Sequence, residues 1–207
     1  NVTFTGAGLL KLGSTVTSLG TFTKSTSTVE YDYASTSLID QQNYYNLEID
    51  GNCLTAVSYG TTSVENELKI NTGSKLAVAG ALSPASVDID GTLAMASAVT
   101  VSGTSDIDGT LAIGATTYNA DGAFDATNAT IDFTGAGTLA LSSTVTSIGS
   151  DLDNSLGTVK YDGTSAQTVR APSSGAYYNL TIENASTKTA GGNLTVAGAL
   201  TTEAEAS

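Results

Sequence analysis

The chain has 207 residues, with 7 basic against 20 acidic side chains, a net charge of −13, no His, no Trp and a single cysteine, Cys53. This balance excludes a phosphate-backbone partner, which needs clustered Lys and Arg. The missing His excludes imidazole bases and the common zinc sites, and no apolar run approaches the ~18 residues of a membrane span. Hydrophobic residues make up 40%, too many for disorder. Ser and Thr are abundant, and Thr, Val and Ile favour strands over helices.

In chain order the sequence alternates and turns. Val2-Thr3-Phe4-Thr5-Gly6 opens in strand pattern, so any leader is expected to have been removed. Val29-Glu30-Tyr31-Asp32, Leu47-Glu48-Ile49-Asp50-Gly51, Val99-Thr100-Val101-Ser102-Gly103 and Ile131-Asp132-Phe133-Thr134-Gly135 repeat the form. Apolar members should face inward and Thr, Ser or Asp outward. The closing Gly and Asx residues predict left-handed corners. The aromatic pairs Tyr44-Tyr45 and Tyr177-Tyr178 should each place one ring inside and one outside. Cys53 reads as a small buried hydrophobe.

Two periods organise these pieces. Thr3 to Leu12 returns as Asp132 to Leu141, an offset of 129, and Ser14 to Gly20 returns as Ser143 to Gly149 at the same offset. Thr28-Val29-Glu30-Tyr31-Asp32 answers Thr158-Val159-Lys160-Tyr161-Asp162, and Tyr44 to Ile49 answers Tyr177 to Ile182. Leu76 to Leu82 answers Leu194 to Leu200 at a shorter offset, so the first copy holds 15 extra residues. Within the first copy, Asp88 to Met95 returns as Asp106 to Ile113, an offset of 18. A coil of about 18 residues makes the long offset close to seven coils and the insertion close to one.

The fold predicted is all-β, a right-handed parallel β-helix (β-solenoid) with coils of about 18–20 residues. The alternative is an antiparallel β-sandwich, which needs no common coil length. A single solenoid over 1–207, built from related segments 1–128 and 129–207, gives ten or eleven coils and roughly 50 Å of rod. Phe4 with Phe133, Val16 with Val145, and Leu93 with Leu111 are expected to be buried in equivalent coil positions.

Val159 to Val169, Tyr177 to Ile182 and Thr187 to Val196 carry a resemblance. They resemble repeats of large secreted bacterial proteins, adhesin-like and filamentous-haemagglutinin-like, especially of the Bacteroidetes. The likeness covers residues 157–201, and 28–82 more loosely. It implies an extracellular or cell-surface structural or adhesive solenoid, and it brings no catalytic residue.

For chemistry, Asp88, Asp90, Asp106 and Asp108 can form a carboxylate row on consecutive coils. The row is read as solvent-facing corners, with calcium as a candidate ligand. No catalytic set and no other cofactor is read, so the chain is not expected to be an enzyme. The rival readings are a carbohydrate-binding or carbohydrate-cleaving β-helix, whose cleaving form needs paired carboxylates, and a phage fibre shaft. Asn-x-Ser/Thr sequons stand at Asn1, Asn128, Asn179, Asn184 and Asn193. Both ends match interior repeats, so neither is expected to be capped. Asn1, Val2, Thr3, Phe4 and Thr5 are therefore expected to meet Leu194, Thr195, Val196 and Leu200 of another unit in a head-to-tail homopolymer, or of a neighbouring repeat in a longer chain. A surface glycan or host ligand is a further candidate partner; nucleic acid and membrane insertion are not expected.

Overall fold

The computed structural model describes residues 1–51, 53, 55–153, 155–184 and 186–203, and none of them is helical. Strands run parallel and stack into a β-solenoid of about ten turns. Each turn visits three faces. The charged face carries Leu9–Leu12, Thr28–Tyr31, the second half of Asn43–Ile49, then strands ending at Ile70, Ile89 and Ile107, and finally Phe124–Asp125. The alanine face runs from Thr36–Ile39 through Thr55–Ser58, Lys75–Val78, Thr92–Met95, Thr110–Ile113 and Thr130–Phe133 to Asp151–Leu152. The third face includes Val99–Val101, Thr117–Ala120, Thr138–Leu141, Thr158–Tyr161, Asn179–Ile182 and Leu200–Thr202.

The octapeptide repeat sets its register directly. Thr92, Leu93, Ala94 and Met95 pair with Thr110, Leu111, Ala112 and Ile113, their counterparts one coil on. Coil length varies elsewhere: the step from Lys75 to Thr92 is shorter, and that from Thr158 to Asn179 is longer. Alternation puts Leu76, Leu93, Leu111 and Ile131 in one buried inward column. Such columns form a continuous core from Leu19 to Leu180. Strand Thr62–Ile70 turns from the third face to the charged face by a bulge. Glu65 and Asn66 stand where each neighbouring strand has one residue, and the extra residue bends the strand.

Leu93, Leu111, Phe133 and Val145 are buried as expected, but Phe4 and Val16 are only half-buried. Those two lie in the first coil, which has a described coil on one side only.

The two sequence copies do not occupy the same faces. Leu9–Leu12 lies on the charged face and its counterpart Thr138–Leu141 on the third. Charged-face strands at Leu9, Thr28, Leu47, Leu68, Val87, Ser105 and Phe124 mark six coils. Two further faces, at Thr130 and Thr138, complete the offset. The long period is thus six coils and two faces, not seven coils. The 15 extra residues of the first copy likewise span two faces rather than a coil. They restore phase, so Leu82 and Leu200 share the third face.

The left-handed corners expected at the closing Gly residues are also corrected. Gly51 has φ +66°, but Gly91, Gly103, Gly109 and Gly135 do not adopt positive φ. Stacking demands glycine there instead: a Cβ on Gly109 would sit 2.0 Å from the Gly91 carbonyl oxygen.

Candidate functional site

On the charged face the middle, outward residue of each strand stacks on the next. The row reads Lys11, Glu30, Glu48, Lys69, Asp88, Asp106, Asp125. Parallel ladders place such neighbours about 4.8 Å apart, close enough for charge to matter. Lys11 bridges Glu30 at 2.6 Å and Asp32 at 2.8 Å. Its ammonium is held well above the ordinary lysine range by the bonds to Asp32 and Glu30. Lys69 binds Asp88, and Asp90 at 3.3 Å. Partial burial works against the Lys69 charge, but the bond to Asp88 and both carboxylates outweigh it and raise its pKa.

The four aspartates singled out by sequence are therefore brought together but divided. Asp88 and Asp90 share the Lys69 ammonium. That basic neighbour lies one coil before Asp88, where a search for charges at coil-length spacing would have found it. Asp106 stacks between Asp88 and Asp125. Burial, then Asp108, Asp88, Asp125 and Asp90, raise its carboxyl above the usual range. Asp108 accepts from Asn128 Nδ2 at 3.2 Å. Among the described residues no group of three or more carboxylate, His or Cys side chains closes into a metal-holding cluster.

Open grooves lie on the alanine face. One of about 380 Å³ is lined by Thr110, Thr130, Ile131, Asp132, Asp151, Leu152, Asp153 and Gly175. It gathers three carboxylates that sequence reading did not connect, with no basic or aromatic lining residue. A second, of about 460 Å³, runs over the small outward residues Ala77, Ala94 and Ala112.

Of the sequons, Asn1, Asn128, Asn184 and Asn193 are exposed, although the middle residue of the Asn184 sequon, Ala185, lies outside the described residues. Asn179 is half-buried: its Nδ2 donates to the Gly157 carbonyl at 3.1 Å and its Oδ1 accepts from Ala199 N at 3.0 Å. Tyr44 and Tyr177 are fully buried, Tyr178 is 37% exposed and Tyr45 is half-buried, so the second pair divides between inside and outside while the outer ring of the first is partly covered. Cys53 is buried, its thiol 3.3 Å from the Ser35 carbonyl. At the ends, Val2, Phe4, Leu194 and Val196 are half-buried, and Asn1, Thr3, Thr5, Thr195 and Leu200 are exposed.

No family model matches the chain, and neither the curated proteins nor the solved structures contain a match to it.

Proposed function

We propose that the chain is a structural and adhesive element, a rod segment of an extracellular or cell-surface protein. The observation that carries this reading is where the charged side chains are used. Of the seven basic residues, six reach across to another coil: Lys11 to Glu30, Lys24 to Glu65, Lys69 to Asp88, Lys160 to Glu183, Lys188 to the Gly163 carbonyl and Arg170 to the Val145 carbonyl. They lash coil to coil along the axis, outside a core stacked in the same direction. Load along the axis is then shared by ladder bonds, core and ion pairs. The acidic surface and the likeness of residues 157–201 to secreted bacterial repeats support the extracellular setting.

The test joins shape to chemistry. Negative-stain images of the purified chain should show short rods, and acidic and neutral polysaccharides should not be turned over. Turnover lost in Asp90→Asn, Asp108→Asn or Asp151→Asn would replace the structural reading with a carbohydrate-cleaving one; the last variant reports on the groove of Asp132, Asp151 and Asp153.

A further inference from the structure

The coil-to-coil lashing leaves one cation over. Six of the seven basic side chains reach another coil, whereas Lys75 makes no ion pair and no side-chain hydrogen bond among the described residues. It points outward, half-buried, at the start of Lys75–Val78 on the alanine face. Asp132 and Asp151 of the same face are unpaired in the same sense. With Asp153 they line the groove of about 380 Å³ that holds three carboxylates and no base. One face therefore carries an unused ammonium and an unused acidic groove, and coil register fixes their separation.

Lys75 pairs with Thr92, Thr92 with Thr110, Thr110 with Thr130, and Thr130 with Asp151. In the next outward column Ala77, Ala94 and Ala112 lead to Asp132. Three steps of about 4.8 Å put Lys75 roughly 14 Å from Thr130, so its own side chain cannot span the distance to the groove. A second copy can. Turned about a two-fold axis that runs along the strands midway between Thr92 and Thr110, Lys75 of one copy comes over Thr130 of the other. There it lies between Asp132, two residues along the strand, and Asp151, one coil on. Ala94 comes over Ala112, and every contact forms twice. The side chains between the charged sites are Ala and Thr, too short to hold the two faces apart.

We propose that the alanine face is an interface between two antiparallel copies of this chain, with Lys75 of each seated in the groove of Asp132, Asp151 and Asp153 of the other. This side-by-side contact goes beyond the structural-rod reading and does not depend on it. The charges fix register and orientation: an ammonium and an acidic groove on one face, spaced by whole coils, are complementary to a reversed copy of themselves. The contact is the same surface on both partners, so it closes at two copies. Four strands of four residues span about 13 by 19 Å, well under a standard interface. The pair is therefore weak, half-associated at roughly 0.1–1 mM.

Sedimentation at about 0.15 M salt reads the contact, because a Debye length of about 8 Å screens the net charge of −13 on each copy more than it screens touching groups. The unaltered chain should pass from monomer to dimer and stop there. Lys75→Glu sets carboxylate against carboxylate and Asp151→Lys sets ammonium against ammonium, so each should dimerise at least about tenfold more weakly. Mixed one to one, these two variants should recover a heterodimer. The new carboxylate of one meets the new ammonium of the other, and the second contact keeps its original Lys75 and Asp151. Ala94→Gln changes no charge and should weaken the dimer as much, by wedging the faces apart over Ala112. All three side chains point outward, and unchanged melting curves would verify that the fold is intact. The proposal is overturned if the unaltered chain stays monomeric up to about 1 mM, if any one variant dimerises as the unaltered chain does, or if the mixture yields no heterodimer. Dimers that require a divalent cation and survive Lys75→Glu would give the carboxylates to a metal and overturn it as well. A monomeric rod without enzymatic turnover would leave the structural reading standing and remove the interface alone.

Discussion

Tyr31 and Tyr44 meet hydroxyl to hydroxyl at 3.2 Å inside the solenoid, and their counterparts Tyr161 and Tyr177 meet at 3.2 Å in the second copy. Each pair closes a ring around the backbone of one corner residue. The Asp40 N–H donates to the Tyr31 oxygen at 3.1 Å, and Tyr44 donates to the Asp40 carbonyl at 2.6 Å. That leaves the Tyr31 proton for the Tyr44 oxygen. Arg170 takes the place of Asp40 in the second ring. The corner side chain has changed from acidic to basic while both rings persist, so the rings read its backbone.

Tyr44→Phe should therefore cost about 1 kcal/mol, since it leaves a partly buried carbonyl without its donor. Tyr177→Phe should cost a similar amount through the Arg170 carbonyl. Thermal or denaturant unfolding of the two variants measures both; a loss at only one site would break the equivalence of the rings.

Alkaline pH should unfold the protein. Burial, before any other cause, raises the pKa of Tyr31, Tyr44, Tyr118, Tyr161 and Tyr177. Unfolded phenols ionise near pH 10, while the folded ones keep their protons. Above that pH the native state binds more protons, so stability present below about pH 10 is lost as pH rises. Melting temperature should be flat up to that point and then fall steeply, and ultraviolet titration should show the five buried phenols ionising only with unfolding.

Leu93→Asp should cost at least about 4 kcal/mol, because it puts an unpaired charge between Leu76 and Leu111. Sequence made this column legible: an octapeptide that returns whole one coil later has one parallel register, and the structure adopts it. Face assignment was not legible. An offset of 129 fits seven short coils as well as six longer coils and two faces, because coil length varies with each corner. Lys69 was missed for a related reason: it is remote from Asp88 along the chain and adjacent across one coil. The tyrosine rings needed the corner backbone itself, since no spacing rule brings Asp40 to both hydroxyls.

Gly109→Ala should destabilise by about 1–3 kcal/mol, the scale of overpacking, because its Cβ would fall 2.0 Å from the Gly91 carbonyl oxygen. Gly6→Ala is the control, with no atom within 4 Å of the added carbon. Equal losses at the two positions would show that conformational entropy, not stacking, selects glycine at these corners.

Asp106→Asn should stabilise the protein at neutral pH. The carboxyl is crowded by Asp88 and Asp125 above and below it in the ladder, and Lys69 is already engaged by Asp88 and Asp90. Its folded pKa lies above the ordinary value, from burial first and then from Asp108, Asp88, Asp125 and Asp90. A raised carboxyl is protonated more readily in the native state, so its favourable contribution exists at low pH and disappears as pH rises through the folded pKa. The side chain is exposed, and solvent screening keeps the gain from Asn to roughly 0.5 kcal/mol. Added salt should shrink that gain, because screening weakens the same repulsion. Lys69→Gln should act in the opposite direction, leaving Asp88 and Asp90 without their cation and extending the repulsion along the row. Melting curves of both variants at pH 4 and pH 7, at low and high salt, decide the matter: an Asp106→Asn gain that is no larger at pH 7 than at pH 4 would show that the carboxylate stack carries no strain.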